Sequence, residues 1–129
     1  MKKYLIPGVH DFYHKGHQNL VNYARQDGTP IIALINDEGV NLKQKQNVSP
    51  YSERYQMIKD VDQSLEIIET NSTPESYLKI YKDNELDGII FGNDHEGTDK
   101  VNFLRQNNVN VIILPRTAGI SSTIIREKA

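Results

Sequence analysis

The chain has no cysteine and no tryptophan. Without thiols, disulfides, thiolate metal centres and cysteine nucleophiles are excluded. Long apolar runs are missing as well. No stretch approaches the roughly twenty apolar residues that a membrane helix needs. The opening Met1-Lys2-Lys3-Tyr4-Leu5-Ile6-Pro7-Gly8 is too short an apolar run for a signal peptide. Nor is there an excess of positive charge: 15 Lys and Arg stand against 17 Asp and Glu, a formal charge of −2. Generic nucleic-acid binding draws on a basic excess, so that class of partner is not expected. A small anion held by a few local cations stays open. With 37% apolar residues over 129 positions, the chain has enough for one core. The expectation is one domain over residues 1–129, cytoplasmic, with neither membrane nor nucleic acid as a partner.

What the sequence does contain is a regular alternation. Short, largely β-branched runs at 4–6, 31–35, 65–68, 88–91 and 109–114 predict strands buried on both faces. Between them, His17, Leu20, Val21 and Ala24 share one face of a helix expected from Gly16 to Gln26. Further helices are expected at Arg54–Val61, Pro74–Asn84, Lys100–Gln106 and Ser121–Lys128. Strand–helix alternation means right-handed βαβ units. The predicted architecture is α/β: a Rossmann-like, doubly wound, five-stranded parallel sheet with helices on both faces. Ligands in such sheets bind beyond the carboxyl ends of the strands, where the strand order reverses. Function is therefore expected after the first, fourth and fifth strands. The stretch Asn36–Pro50 lacks an apolar pattern, carries Lys43 and Lys45, and reads as a mobile basic loop beside the site.

Two segments carry candidate chemistry. After the first strand comes Gly8-Val9-His10-Asp11-Phe12-Tyr13-His14-Lys15-Gly16-His17, holding three of the four histidines. Gly8 permits a tight turn and Gly16 a close backbone approach. His14 and His17, three apart, point the same way on a helical turn. Free N–H groups at a helix start together with two imidazoles make an anion site, and a triphosphate is the obvious guest. Zinc ligation and coincidental surface histidines are the competing readings, although the His-Glu-x-x-His pattern is absent. After the fifth strand comes Arg116-Thr117-Ala118-Gly119-Ile120-Ser121-Ser122-Thr123-Ile124-Ile125-Arg126. Capping explains one of its three hydroxyls; phosphate binding at a second helix start explains all three.

His14-Lys15-Gly16-His17 and Ile120-Ser121-Ser122-Thr123-Ile124-Ile125-Arg126 resemble the HxGH and ISSTxIR signatures of the HxGH nucleotidyltransferase superfamily. Within it the chain is most similar to the bacterial glycerol-3-phosphate cytidylyltransferase family, nearly end to end. The similarity includes Gly8, Asp11, Asp37-Glu38, Lys43, Tyr51, Arg54 and Gly92-Asn93-Asp94-His95-Glu96-Gly97.

The resemblance implies an enzyme that moves CMP from CTP to a small phosphorylated acceptor and releases pyrophosphate, with Mg²⁺ accompanying the nucleotide. It implies catalytic roles for His14, His17, Lys43 and Arg116. It implies nucleotide contacts from Gly8, Val9, His10, Asp11, Gly16, Gly92, Asp94, Thr117, Gly119, Ile120, Ser121, Ser122 and Thr123. Arg54 and His10 are the expected acceptor anchors, and Asp11 the expected residue at the metal and phosphate end. A homodimer is also implied, and a product feeding cell-wall or surface polysaccharide. An ATP-using adenylyltransferase of the same superfamily and a non-catalytic nucleotide-binding module are the alternatives. The chain departs from its family at His10, where an aromatic is usual, and at Lys15, Ala118 and Ile124. Asp62 falls in an arginine's place, so the acceptor half of the site is expected to differ.

Overall fold

The computed structural model describes residues 2–42 and 47–115. Five strands form one sheet: β1 (Lys2–Gly8), β2 (Gly28–Ile35), β3 (Glu66–Thr70), β4 (Gly88–Gly92) and β5 (Val111–Leu114). Their order is β3-β2-β1-β4-β5, and every pairing is parallel. The strand order reverses between β1 and β4, as the alternating pattern predicts for a doubly wound sheet. The described α-helices are α1 (Lys15–Asp27), α2 (Asp37–Leu42), α3 (Tyr51–Val61), α4 (Pro74–Asp83) and α5 (Asp99–Gln106).

The period of two along each strand divides the core between the two faces. Tyr4 and Ile6 of β1, Ile32 and Leu34 of β2 and Ile90 of β4 pack with Val21 and Ala24 of α1 and Ile58 of α3. The alternate residues Leu5, Ile31, Ala33, Ile89 and Phe91 pack with Tyr77 of α4 and with Val101 and Leu104 of α5. Each fully buried aliphatic side chain contributes about 1.5–3 kcal/mol. Side-chain caps start the helices where the sequence offers them. Thr73 accepts from the Ser76 N–H ahead of Pro74, and Thr98 accepts from the Val101 N–H.

Helix α2 was not expected. It lies in the stretch read as a basic loop, where its single turn and a half buries Gly39 and Val40. Asn36 starts it by accepting the Gly39 N–H at 2.8 Å. A Cβ on Gly39 would stand 2.7 Å from the Asn71 carbonyl oxygen, so only glycine lets α2 sit this close to the turn after β3. Of that stretch, Lys43 and Lys45 lie outside the described residues, as does the expected helix at 121–128.

The ladders also shape the site. β1 pairs with β2 over seven residues but with β4 only at Tyr4 and Leu5. Beyond Leu5, β1 continues through Pro7, which has no N–H to donate, while its partnership with β4 has ended. The carboxyl ends of β1 and β4 therefore stand at the switch point without a ladder joining them.

Candidate active site

β1 runs out at Gly8 and the chain enters a one-turn 3-10 segment, Asp11–Tyr13. Three of four successive non-glycine residues are strained here: His10, Phe12 and Tyr13 have φ of 51°, 62° and 36°. Left-handed backbone at such residues costs on the order of 1–3 kcal/mol each and persists only where neighbours enforce it. Two buried side chains do so. Arg54 Nη1 donates to the Val9 carbonyl at 3.0 Å, and the His10 ring, through Nε2, bonds the Ile6 carbonyl at 3.2 Å. The turn then delivers His14 and His17 to the start of α1.

His14 is the cap of α1. Its Nδ1 accepts the Gly16 N–H at 3.0 Å, which places the ring proton on Nε2. Burial holds this imidazole below the ordinary histidine value, so it is neutral near pH 7. His17, in the first turn, stacks on it with centroids 3.8 Å apart and 14° between planes. His14 and His17 point the same way, as their spacing predicts, but the helix start offers one N–H fewer than expected. The Gly16 N–H is committed to the His14 ring, so it is not offered to a ligand.

The expected acceptor anchors also need correction. Arg54 is 0% exposed. Its Nε donates to the Ser49 carbonyl, Nη1 to those of Val9 and Ile35, and Nη2 to Asp37, using four of five donors. It braces the ends of β1 and β2 rather than facing an acceptor. His10 is 2% exposed and lies beneath His17, so it touches neither nucleotide nor acceptor from the surface. Asp62 ion-pairs with Arg25 in the last turn of α1, roughly 12 Å along the helix axis from His17. A hydrogen bond from the Ser64 hydroxyl and the Arg25 pairing hold its carboxyl down at about 2. A carboxylate occupied in this way ties the end of α3 to α1.

Across the switch point, Gly92 ends β4 and leads into a second 3-10 turn, Asn93–His95, which contains Asp94. Thr98 Oγ1 closes the loop by donating to the His95 carbonyl at 2.7 Å, and Gly97 takes a φ of 77°. Gly92 is in register with Leu114, so β5 leaves the sheet beside this turn. β5 and β1 are separated by β4 alone, two strand spacings or roughly 10 Å. β5 thus ends at the same carboxyl edge of the sheet as β1, and Arg116, Thr117, Gly119, Ile120, Ser121, Ser122 and Thr123 lie outside the described residues.

No group of three His, Asp or Glu side chains among the described residues is placed to hold a metal ion. Asp11, the expected metal residue, is 1% exposed and does not face outward. The described side chains therefore form no metal cage of their own. No described helix is long and apolar enough to cross a membrane.

The cytidylyltransferase-like family matches residues 5–128. The chain belongs to that family. It is a CTP-dependent nucleotidyltransferase. Among curated relatives, the glycerol-3-phosphate cytidylyltransferase of Bacillus spizizenii is 33% identical over 98% of this chain and 96% of its own length. The enzyme of the same name from Staphylococcus aureus is 31% identical over 99% and 95%. The ethanolamine-phosphate cytidylyltransferase of Arabidopsis thaliana is 29% identical over 93% of this chain but only 30% of its own length. A crystal structure of a lipopolysaccharide core biosynthesis protein from Thermoplasma volcanium superposes with a TM-score of 0.69 at 17% identity, over 91% of this chain and 97% of that one. That likeness concerns the fold alone.

The sequence found the histidines but missed the bracing role of Arg54, because nothing in a sequence says that a guanidinium will be buried. One signal for α2 was present: Asn36 followed by Asp37 and Glu38 is the composition of a helix start.

Proposed function

We propose that the chain transfers CMP from CTP to glycerol 3-phosphate and releases pyrophosphate. The observation that carries the reading is the stacked pair of His14 and His17 at the carboxyl end of β1, beside the switch point of a cytidylyltransferase-like fold. The choice of acceptor follows the named activity of relatives matched over nearly their whole length. An ionised phosphate oxygen of the acceptor attacks the α-phosphorus of CTP, the bond from that phosphorus to the bridging oxygen breaks, and pyrophosphate leaves. An acceptor phosphate is already deprotonated near neutral pH, so no strong general base is required.

What the protein must supply is placement and stabilisation of charge that builds on the α-phosphoryl and leaving oxygens. The neutral His14 ring, with its proton on Nε2, donates to those oxygens while Nδ1 caps α1. His17 donates beside it. Lys43 and Arg116 supply the cations that a chain of net charge −2 must concentrate locally. Thr117, Gly119, Ile120, Ser121, Ser122 and Thr123 receive the remaining phosphate oxygens, and the turn with Gly92 and Asp94 receives the base. A Mg²⁺ accompanying CTP would supply Lewis-acid stabilisation of the phosphates. The protein acts in the cytoplasm as a homodimer, and its product feeds a surface polymer.

Pyrophosphate release, measured with CTP or ATP against a panel of phosphorylated polyols, sugars and amino alcohols, tests this. Turnover is expected with CTP and glycerol 3-phosphate. Preference for ATP, or for another acceptor such as ethanolamine phosphate, overturns the corresponding half. Tight CTP binding without turnover on any acceptor points instead to a non-catalytic module.

A further inference from the structure

We infer that His10 is a positioning residue: its buried ring sets the orientation of His17 and, through the stack, that of His14. This rests on the reading that the stacked pair meets the phosphates. Four contacts hold the His10 ring. Nε2 lies 3.2 Å from the Ile6 carbonyl oxygen, which fixes the ring's rotation. Its flat side lies over Gly8, where a Cβ would come within 3.0 Å of Nε2. It meets the His17 ring at 73°, with centroids 4.8 Å apart, and the Tyr13 ring at 64° and 6.2 Å. An edge-to-face contact of this kind is directional, unlike the contact made by an aliphatic filler.

Core filling alone does not account for an imidazole here. Its Nδ1 is buried with no hydrogen-bond partner among the described residues, which costs stability that a phenyl ring would not. The family pattern has an aromatic at this position, so the shape is shared. The nitrogen that bonds Ile6 is this chain's own addition. It locks a ring at a left-handed backbone position in the strained turn that delivers the histidines.

The test compares His10→Phe, which keeps the ring, with His10→Leu, which keeps apolar bulk without it. Each is followed by kcat and KM for CTP and acceptor, by melting temperature, and by the NMR shifts of the His17 ring protons. His10→Leu is expected to lower kcat by roughly 10- to 100-fold, the cost of a small misplacement, with KM for CTP within about threefold. The same variant shifts and broadens the His17 ring resonances. His10→Phe is expected to restore kcat to within about fivefold and the His17 shifts to near their original positions, since the edge-to-face contact survives. Wild-type kcat and unmoved His17 resonances in His10→Leu overturn the inference. So does His10→Phe as impaired as His10→Leu. Full turnover in His17→Ala strikes the catalytic reading instead, and the His17 resonances still decide whether His10 positions that ring.

Discussion

The imidazoles of His14 and His17 lie face to face, 3.8 Å between centroids, although only His17 belongs to helix α1. His14 precedes the helix in extended backbone and caps it with its own Nδ1. One side chain thus begins the helix and leaves Nε2–H as its outward donor. The motif's second position after it must be able to bring its N–H under the ring, and Gly16 does so. Structure and chemistry share the same atom set, and that sharing separates two kinds of loss.

His14→Ala removes both cap and donor. Turnover is expected to fall by ~100- to 1000-fold, the usual effect of losing one well-placed donor to a developing oxyanion. Stability is expected to fall by about 1 kcal/mol from the lost cap. His14→Asn restores an acceptor for the Gly16 N–H and so recovers the stability but not the rate. Urea unfolding and pyrophosphate release measured on both variants check this; equal recovery of both quantities in His14→Asn is the contrary result.

Arg54→Met tests whether Arg54 is a brace or a ligand. Removing the guanidinium takes the donor from the fully buried Ile35 carbonyl and the half-buried Val9 and Ser49 carbonyls, and leaves Asp37 only the Tyr51 N–H. A destabilisation of about 3 kcal/mol or more is expected, because buried acceptors then lack donors. Lysine does not substitute, since a single ammonium cannot span four acceptors arranged for a planar fork. A variant of unchanged stability with a raised acceptor KM alone returns Arg54 to the acceptor site.

Much of this was legible in the sequence, for identifiable reasons. β-branched runs such as Ile31–Ile35 have one use in a small α/β protein, as strands covered on both faces, and the sheet places them so. The α1 helix follows from the spacing of Val21 and Ala24, both of which are buried. Helix α2 was hidden because its buried face is only Gly39 and Val40, too short for a period, while Leu42 stays exposed. The roles of His10 and Arg54 were misread for a different cause. A histidine among histidines and an arginine beside a phosphate site both suggest ligands, and burial is decided by the tertiary fold that places the Ile6, Val9 and Ile35 carbonyls around them.

Asp62→Asn addresses the charge that sits in an arginine's place. The Arg25–Asp62 pair lies at the protein surface, and such pairs contribute about 0–1 kcal/mol. Stability is expected to drop by no more than that at neutral pH. The Asp62 carboxyl is held down at about 2, so its contribution is present above the ordinary carboxylate range and is lost only as pH falls toward 2. Acceptor KM is expected within about twofold of wild type, because the carboxylate is already committed to Arg25 and Ser64. A large fall in acceptor KM on removing the charge restores Asp62 as an acceptor-side residue.

The buried His10 makes the fold acid-sensitive in a defined window. Burial pushes its ring down to about 4, against 6.5 for the free side chain, outweighing the Ile6 hydrogen bond that favours the proton. Above pH 6.5 the ring is neutral in both folded and unfolded chains and has no effect on the balance. As pH falls from 6.5 to 4 the unfolded chain takes up a proton that the folded chain refuses, so stability declines; below 4 both carry it and the decline levels off. The full penalty is roughly 3 kcal/mol. The His14 ring, also lowered by burial, adds in the same direction. His10→Phe removes the first contribution and leaves the second. Unfolding free energies measured from pH 7.5 to 4 are expected to fall less steeply in that variant than in the wild type, with the two curves converging on a constant offset above pH 6.5. Parallel curves across the whole range contradict a neutral, buried His10.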